Sequence, residues 1–196
     1  MLELAQAQKW LIGYQDECWW SRVSPPHLHS WGEADQPLRL RDAEKEKSDG
    51  EAKALCCYGL KLEADHQMLL RFVAGRGVSD LTIAFLAWVC SQLASKGAKN
   101  LVMIWDNATW HGSRQVREWL KSHNQQVRAD WREGKAGLRI IPCFLPVRSP
   151  WLNSIEPCWL HAKRAVVEPT RKLGSTELTN RVYDYFKLDH LPFIAH

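Results

Sequence analysis

Five apolar residues, Leu101-Val102-Met103-Ile104-Trp105, follow one another without a polar break and stop at Asp106. A strand with one face in water alternates apolar and polar side chains, so an unbroken run predicts a strand covered on both faces. The chain around it has 196 residues, enough for one domain with a sizeable core. The fold is therefore constrained to a sheet that carries layers on both sides of this strand.

The rest of the chain can be read against that strand. Lys9 to Gln15 is a strand-like run that ends at Asp16-Glu17. After it come Pro25-Pro26 with His27 and His29, then Pro37-Leu38-Arg39-Leu40, and a charged segment from Asp42 to Lys53 that reads as an exposed loop or hairpin tip. Ala54–Leu62 and Gln67–Val73 are strand candidates joined by a turn at Glu63-Ala64-Asp65-His66, which extends an antiparallel meander. Ser79-Asp80 is placed to cap a helix that ends near Lys96-Gly97, and Ser113 to cap one that ends near Asn124. Leu138-Arg139-Ile140-Ile141 predicts a second buried strand before a proline-rich loop that ends at Pro150. Helices are predicted from Ser154 to Val167 and from Ser175-Thr176-Glu177 onward. Three strands followed by helix, strand, helix, strand, helix make a mixed α/β sheet flanked by helices. That is the element order of the ribonuclease H-like fold, which by itself assigns no function.

Composition narrows the setting. Apolar residues make up 45% and charged residues 24%, ordinary values for a globular protein. No apolar run reaches the length of a membrane span and the N-terminus lacks a signal-peptide layout, so the expected location is cytoplasmic with no membrane partner. The six cysteines are scattered, with no CxxC pair, and read as small buried hydrophobes. Cys158 and His161, or His27 and His29, would need a second pair at recognisable spacing to make a zinc site, and none is present. A formal charge of +4 is compatible with a nucleic-acid partner. Eleven tryptophans serve a core first and base-stacking surfaces second.

Three carboxylates stand out by position. Asp16 and Asp106 each follow an apolar strand, and sites in open α/β sheets form at the carboxyl ends of strands. Glu156 enters at a helix start directly after Pro150-Trp151-Leu152-Asn153, where the dipole favours a carboxylate. Hard divalent ions such as Mg²⁺ or Mn²⁺ prefer oxygen ligands, and two of them, roughly 3.5–4 Å apart, serve in-line phosphoryl displacement. The bland reading is equally physical: an Asp after a strand is a turn former, and a Glu at a helix start complements the dipole. Glu17, next to Asp16 on the strand, should point to the opposite face and is not counted as a ligand.

Two longer blocks decide between these readings. Ile104-Trp105-Asp106-Asn107-Ala108-Thr109-Trp110-His111 is one; Leu145-Pro146-Val147-Arg148-Ser149-Pro150-Trp151-Leu152-Asn153-Ser154-Ile155-Glu156, with Trp159 and Lys163 beyond it, is the other. Together they resemble DDE transposases of the mariner-related superfamily, most closely the bacterial insertion-sequence family numbered 630. Tyr14-Gln15-Asp16-Glu17 resembles the family's first-strand block, which a Trp-rich hairpin follows, here Trp19, Trp20 and Trp31. The likeness runs from about Trp10 to Glu168, with residues 169–196 as a helical extension of a single domain spanning 1–196.

The resemblance implies that Asp16, Asp106 and Glu156 are the catalytic, metal-binding triad, served by two Mg²⁺ or Mn²⁺ ions. It implies supporting roles for Asn107, His111 and Asn153, and DNA contacts from Arg148, Trp151 and Lys163. The expected function is strand cleavage at transposon ends and transfer of the 3′ hydroxyl into target DNA at a TA dinucleotide. Expected partners are DNA, a second copy in a dimer or larger synaptic complex, and a separately encoded helix-turn-helix subunit. That subunit is expected because the family's N-terminal end-binding region is absent, which points to a split half, a truncated copy or an excised domain. The chain would be nucleoid-associated when bound to DNA. The spacing 156 − 106 = 50 exceeds the family's usual value, so an insertion is expected at Asn124–Gly137. Ser154 stands where the family has proline, which should loosen the helix start, and Gly112 after His111 is a further departure. Two other functions remain open: a different ribonuclease H-like nuclease, and a catalytically silent remnant that binds DNA or a partner.

Overall fold

The computed structural model describes residues 10–22, 50–73, 78–166 and 172–194. Strands β1 (Leu11–Ser21), β2 (Ala54–Leu62) and β3 (Met68–Val73) come first. Helix α1 (Ser79–Ser95), β4 (Asn100–Trp105), α2 (Arg114–Arg132), β5 (Arg139–Phe144), α3 (Glu156–Val166) and α4 (Ser175–Tyr185) follow. The strands lie in the order β3-β2-β1-β4-β5, with β1 antiparallel to β2, β2 antiparallel to β3, and β1, β4 and β5 parallel. This is the open, mixed, ribonuclease H-like sheet that the element order predicts.

The unbroken apolar run forms the strand it requires. Leu101, Met103 and Trp105 point into a core shared with α1 and α2, whereas Val102 and Ile104 face the other side of the sheet. All five are buried. A second core, from Cys57, Leu70 and Phe72 to Trp159 and Val182, lies beneath α3 and α4. Trp20, Trp105 and Trp159 are buried, and among the described residues only Trp19 and Trp151 are exposed. The core role expected of the tryptophans therefore dominates. Four cysteines are buried as expected, while Cys143 and Cys158 are half-buried, and all six are free. Pro25 to Leu40, Trp31 and the charged segment as far as residue 49 lie outside the described residues.

Several elements differ from the sequence reading, each for a local reason. β1 does not stop at Asp16: it pairs with β2 from Gly13↔Leu62 to Ser21↔Ala54, which leaves Asp16 in mid-strand opposite Gly59. β5 is not a buried strand but the sheet edge, with Phe144 exposed. It runs through Pro142, which an edge strand tolerates because one of its sides needs no ladder hydrogen bond. Ser79 and Asp80 lie in the first turn of α1, and the cap position is Val78, without a side-chain cap bond. Ser113 does cap α2, its Oγ accepting from the Val116 amide at 3.2 Å. That helix continues well past Asn124, because the Asn124 amide is clamped to β5. Its Nδ2 donates to the Ile140 carbonyl (2.8 Å), and its Oδ1 accepts from the Ile140 amide (3.0 Å). Asn124–Gly137 is thus the end of a helix and a tight return, in which Gly134 takes φ 75°.

Gly59 is required by a close approach. A Cβ there would stand 2.4 Å from Trp159 Cη2 and 2.5 Å from Cζ2. Gly59→Ala must push the indole off the sheet, and we expect a loss of about 1–3 kcal/mol of unfolding free energy in urea titrations.

Candidate active site at the carboxyl end of the central strands

Parallel pairing sets the site. β1 and β4 are in register from Leu11↔Leu101 to Tyr14↔Ile104, so two residues further on Asp16 comes level with Asp106, just past the end of β4. The third acid, Glu156, opens α3, its amide donating to the Asn153 carbonyl at 3.1 Å. Two neighbouring strands tether this segment. Buried Asn153 donates through Nδ2 to the Gln15 carbonyl of β1 (3.3 Å). Lys61 of β2 donates to the Ser154 carbonyl (3.1 Å) and to Ser154 Oγ (2.8 Å). Ser154 is therefore held to β2 through both its carbonyl and its hydroxyl. A Cβ at Gly112 would meet open space, and nothing in the structure demands glycine there.

The three carboxyls have different surroundings. Asp16 is buried beneath α3, and its Oδ2 accepts from Trp159 Nε1 at 3.0 Å. Burial, and then the charges of Glu156, Glu17 and Asp106, push its pKa up to about 8. Asp106 is half-exposed, with Oδ1 accepting from His111 Nδ1 (2.7 Å) and the Ala108 amide (3.0 Å), and the histidine contact holds its pKa below the ordinary value. Glu156 is open to solvent along its outer side. Its pKa is raised by partial enclosure and by Asp106, against the opposing charge of Lys163 two turns along α3.

His111 does not reach free space. It is buried, stacked flat on Trp105 with centroids 4.7 Å apart, and held between Asp106 and Glu17 Oε1, which receives its Nε2–H at 2.9 Å. Burial opposes its charge, but the two carboxylate hydrogen bonds win and raise its pKa to about 9. At neutral pH it is an imidazolium that donates from both nitrogens. Glu17 does lie on the strand face opposite Asp16, as alternation demands, and what the sequence reading missed is its partner on that face. Gln15 joins them, donating to Glu17 Oε1 at 3.1 Å and accepting from the Trp105 indole. The available signal was Gln15 itself, a polar residue in a buried strand that must find partners there.

The remaining expected residues line the approach. Asn107 donates to the Leu145 carbonyl at 2.7 Å and so ties the end of β4 to the loop after β5. A cleft of about 340 Å³ opens between Asp106, Asn107, Pro146 and Arg148. Arg148 is exposed in the left-handed region at φ 60°, and Trp151 is 76% exposed. Cys158 and His161 border one shallow pocket, whereas His27 and His29 lie outside the described residues.

Comparison with known proteins now identifies the family. The family described as DDE superfamily endonuclease matches residues 13–178. This chain belongs to it. No curated protein matches the chain by sequence. Among solved structures, the fold is similar to that of Mos1 transposase in its paired-end complex with the left transposon end (TM-score 0.62, 16% identity). It is also similar to the Mos1 mariner paired-end complex with Mn (TM-score 0.60, 15% identity). Each match covers 96% of this chain and 52% of the other, so the chain spans about half the length of the proteins it resembles. No described helix is long and apolar enough to cross a membrane.

In this DDE domain the three acids share one end of the sheet and act on one another's pKa values, but they are not drawn to ligand spacing. Among the described residues no group of three or more His, Cys, Asp or Glu side chains stands close enough to hold a metal ion. The donor set nevertheless fits a hard cation. It is all carboxylate oxygen, and the groups that act on Asp16 besides its burial are the carboxylates of Glu156, Glu17 and Asp106, with no cation among them.

Two outcomes test this electrostatic account. Native Asp16 holds its proton up to about pH 8, against an ordinary value of 3.8 in the unfolded chain. Its stability contribution is therefore complete below about pH 4 and is lost as pH rises through 8. In metal-free thermal melts, Asp16→Asn should gain stability over wild type as pH rises across that window; the stability lost as His111 titrates is common to both proteins and cancels. His111→Ala strands buried Glu17 without its cation and should cost about 3–5 kcal/mol in urea unfolding, part of which the His111→Ala/Glu17→Gln double variant recovers.

Proposed function

We propose that the chain is the catalytic domain of a DNA transposase of the mariner-related superfamily, in the insertion-sequence family numbered 630. The single domain spans 1–196, cleaves strands at transposon ends and joins the freed 3′ hydroxyl to target DNA. One observation carries the reading: three separate elements deliver Asp16, Asp106 and Glu156 to the same end of the sheet, where their charges oppose one another. The Mos1 structures, among them complexes with Mn and with Mg, supply the parallel for metal and DNA.

In this reading the residues divide the work by position. Asp16, Asp106 and Glu156 hold Mg²⁺ or Mn²⁺, two ions in all, which when bound supply Lewis-acid polarisation of the phosphodiester and of the attacking oxygen. His111 fixes the Asp106 carboxylate through Oδ1 and leaves Oδ2 for the site. Trp159 orients Asp16, and Asn153 with Ser154 fixes where α3 begins. Arg148 beside the cleft and Lys163 on the Glu156 side of α3 take phosphate, while exposed Trp151 offers a face for a base. A dimer or larger synaptic assembly would bring two transposon ends together.

The test is cleavage of end-containing duplex with Mg²⁺ or Mn²⁺. Asp16→Asn, Asp106→Asn and Glu156→Gln should each fall to background while keeping the wild-type fold by circular dichroism. Cutting at the wild-type rate by any of the three overturns the assignment.

A further inference from the structure

Helix α2 carries five cations along one side. At 100° per residue, positions 114, 117, 121, 128 and 132 fall within about 60° of arc and extend about 27 Å along the helix axis. Arg114, Arg117, Lys121, Arg128 and Arg132 are all exposed, while Val116, Leu120 and Val127 anchor the opposite flank to the core. No acid falls within that arc. Glu118, just outside it, is paired with Arg114 at 2.7 Å. Among the described residues the other four have no ion-pair partner, and four charges equal the whole formal excess of +4.

This arrangement works against the helix that bears it. Arg117 with Lys121, and Arg128 with Arg132, are like charges at i, i+4, and Arg114 and Arg117 stand in the first turn, where the dipole disfavours cations. Folding accounts for Arg132, which the dipole favours in the last turn, and for Arg114, which pairs with Glu118, but it gives no reason to align Arg117, Lys121 and Arg128 with them, whereas a polyanion does. The stripe also starts in the right place. α2 returns from the end of β4 at which Asp106 lies, so Arg114 marks the site end of the stripe and Arg132 the far end. None of its positions is aromatic, so it offers no stacking platform for unpaired bases and fits the regular phosphates of a duplex.

We propose that the α2 stripe is a second DNA-binding surface, which carries duplex along the sheet's α1–α2 side and away from the candidate active site. The proposal rests on DNA being the substrate and names a path for it that Arg148, Trp151 and Lys163 do not provide.

The experiment is fluorescence anisotropy of a short random-sequence duplex with the full chain over a salt series. The variant replaces Arg117, Lys121, Arg128 and Arg132 with Gln, changes confined to solvent-facing positions, and thermal melting checks its fold. The slope of log K against log salt should become shallower by about 3 to 4, since each phosphate contact contributes about 0.9. The Arg117→Gln/Lys121→Gln and Arg128→Gln/Arg132→Gln pairs should each give about half that change, which keeps the test available if the fourfold variant does not fold. Unchanged slope and affinity in the pairs overturns the proposal, and so does poly-glutamate competing as well as duplex does. The assay needs no cleavage, so a failed transposase reading and a failed stripe reading give different results: the first abolishes cutting in wild type, the second leaves the variants' binding intact.

Discussion

A carboxylate in the middle of a sheet and beneath a helix gives up its hydration, and much of this structure is arranged around that cost at Asp16. The compensating donors are the Trp159 indole and the backbone of Glu17. To bring the indole within reach, α3 must lie close against β1 and β2, which is possible because Gly59, directly opposite Asp16, has no side chain in the way. The start of α3 is then fixed by Asn153 and Ser154, and with it the position of Glu156. One buried acid thus links the choice of glycine on β2, the docking of α3 and the placement of the third carboxylate.

The two faces of the sheet treat negative charge differently. On the α1–α2 face, Glu17 and Asp106 share a buried imidazolium stacked on Trp105, a local neutralisation built from the protein alone. On the α3 face no such cation acts on Asp16, and burial together with Glu156, Glu17 and Asp106 opposes its ionisation. Proteins seldom leave a buried carboxylate in that condition unless function requires it. Under the proposed function, a divalent cation supplies the positive charge that this face lacks.

The fold was largely legible because its strongest signals are local. The unbroken run of β4, the two strand runs of β2 and β3 with the turn at Glu63-Ala64-Asp65-His66 between them, and Ser113 before α2 each report a constraint that acts within a few residues. What was not legible depended on partners distant in sequence. β1 runs past Asp16 because β2 pairs with it, α2 runs past Asn124 because β5 accepts that amide, and Pro142 lies inside a strand because β5 is an edge. The site divides in the same way. Asp106, Glu156 and their flanking blocks are readable in the sequence, whereas the Glu17–His111–Asp106 bridge joins residues 94 and 5 positions apart. The bond from Trp159 to Asp16 spans 143 positions, and no local pattern announces it.

The central claim is that Asp16, Asp106 and Glu156 together form one cation site. Titration of the folded protein with Mn²⁺, with free ion followed by electron paramagnetic resonance, tests it without DNA or turnover. The account predicts that wild type takes up Mn²⁺ and that Asp16→Asn, Asp106→Asn and Glu156→Gln each weaken uptake. Binding as tight in all three variants as in wild type, or no uptake by wild type, would contradict it.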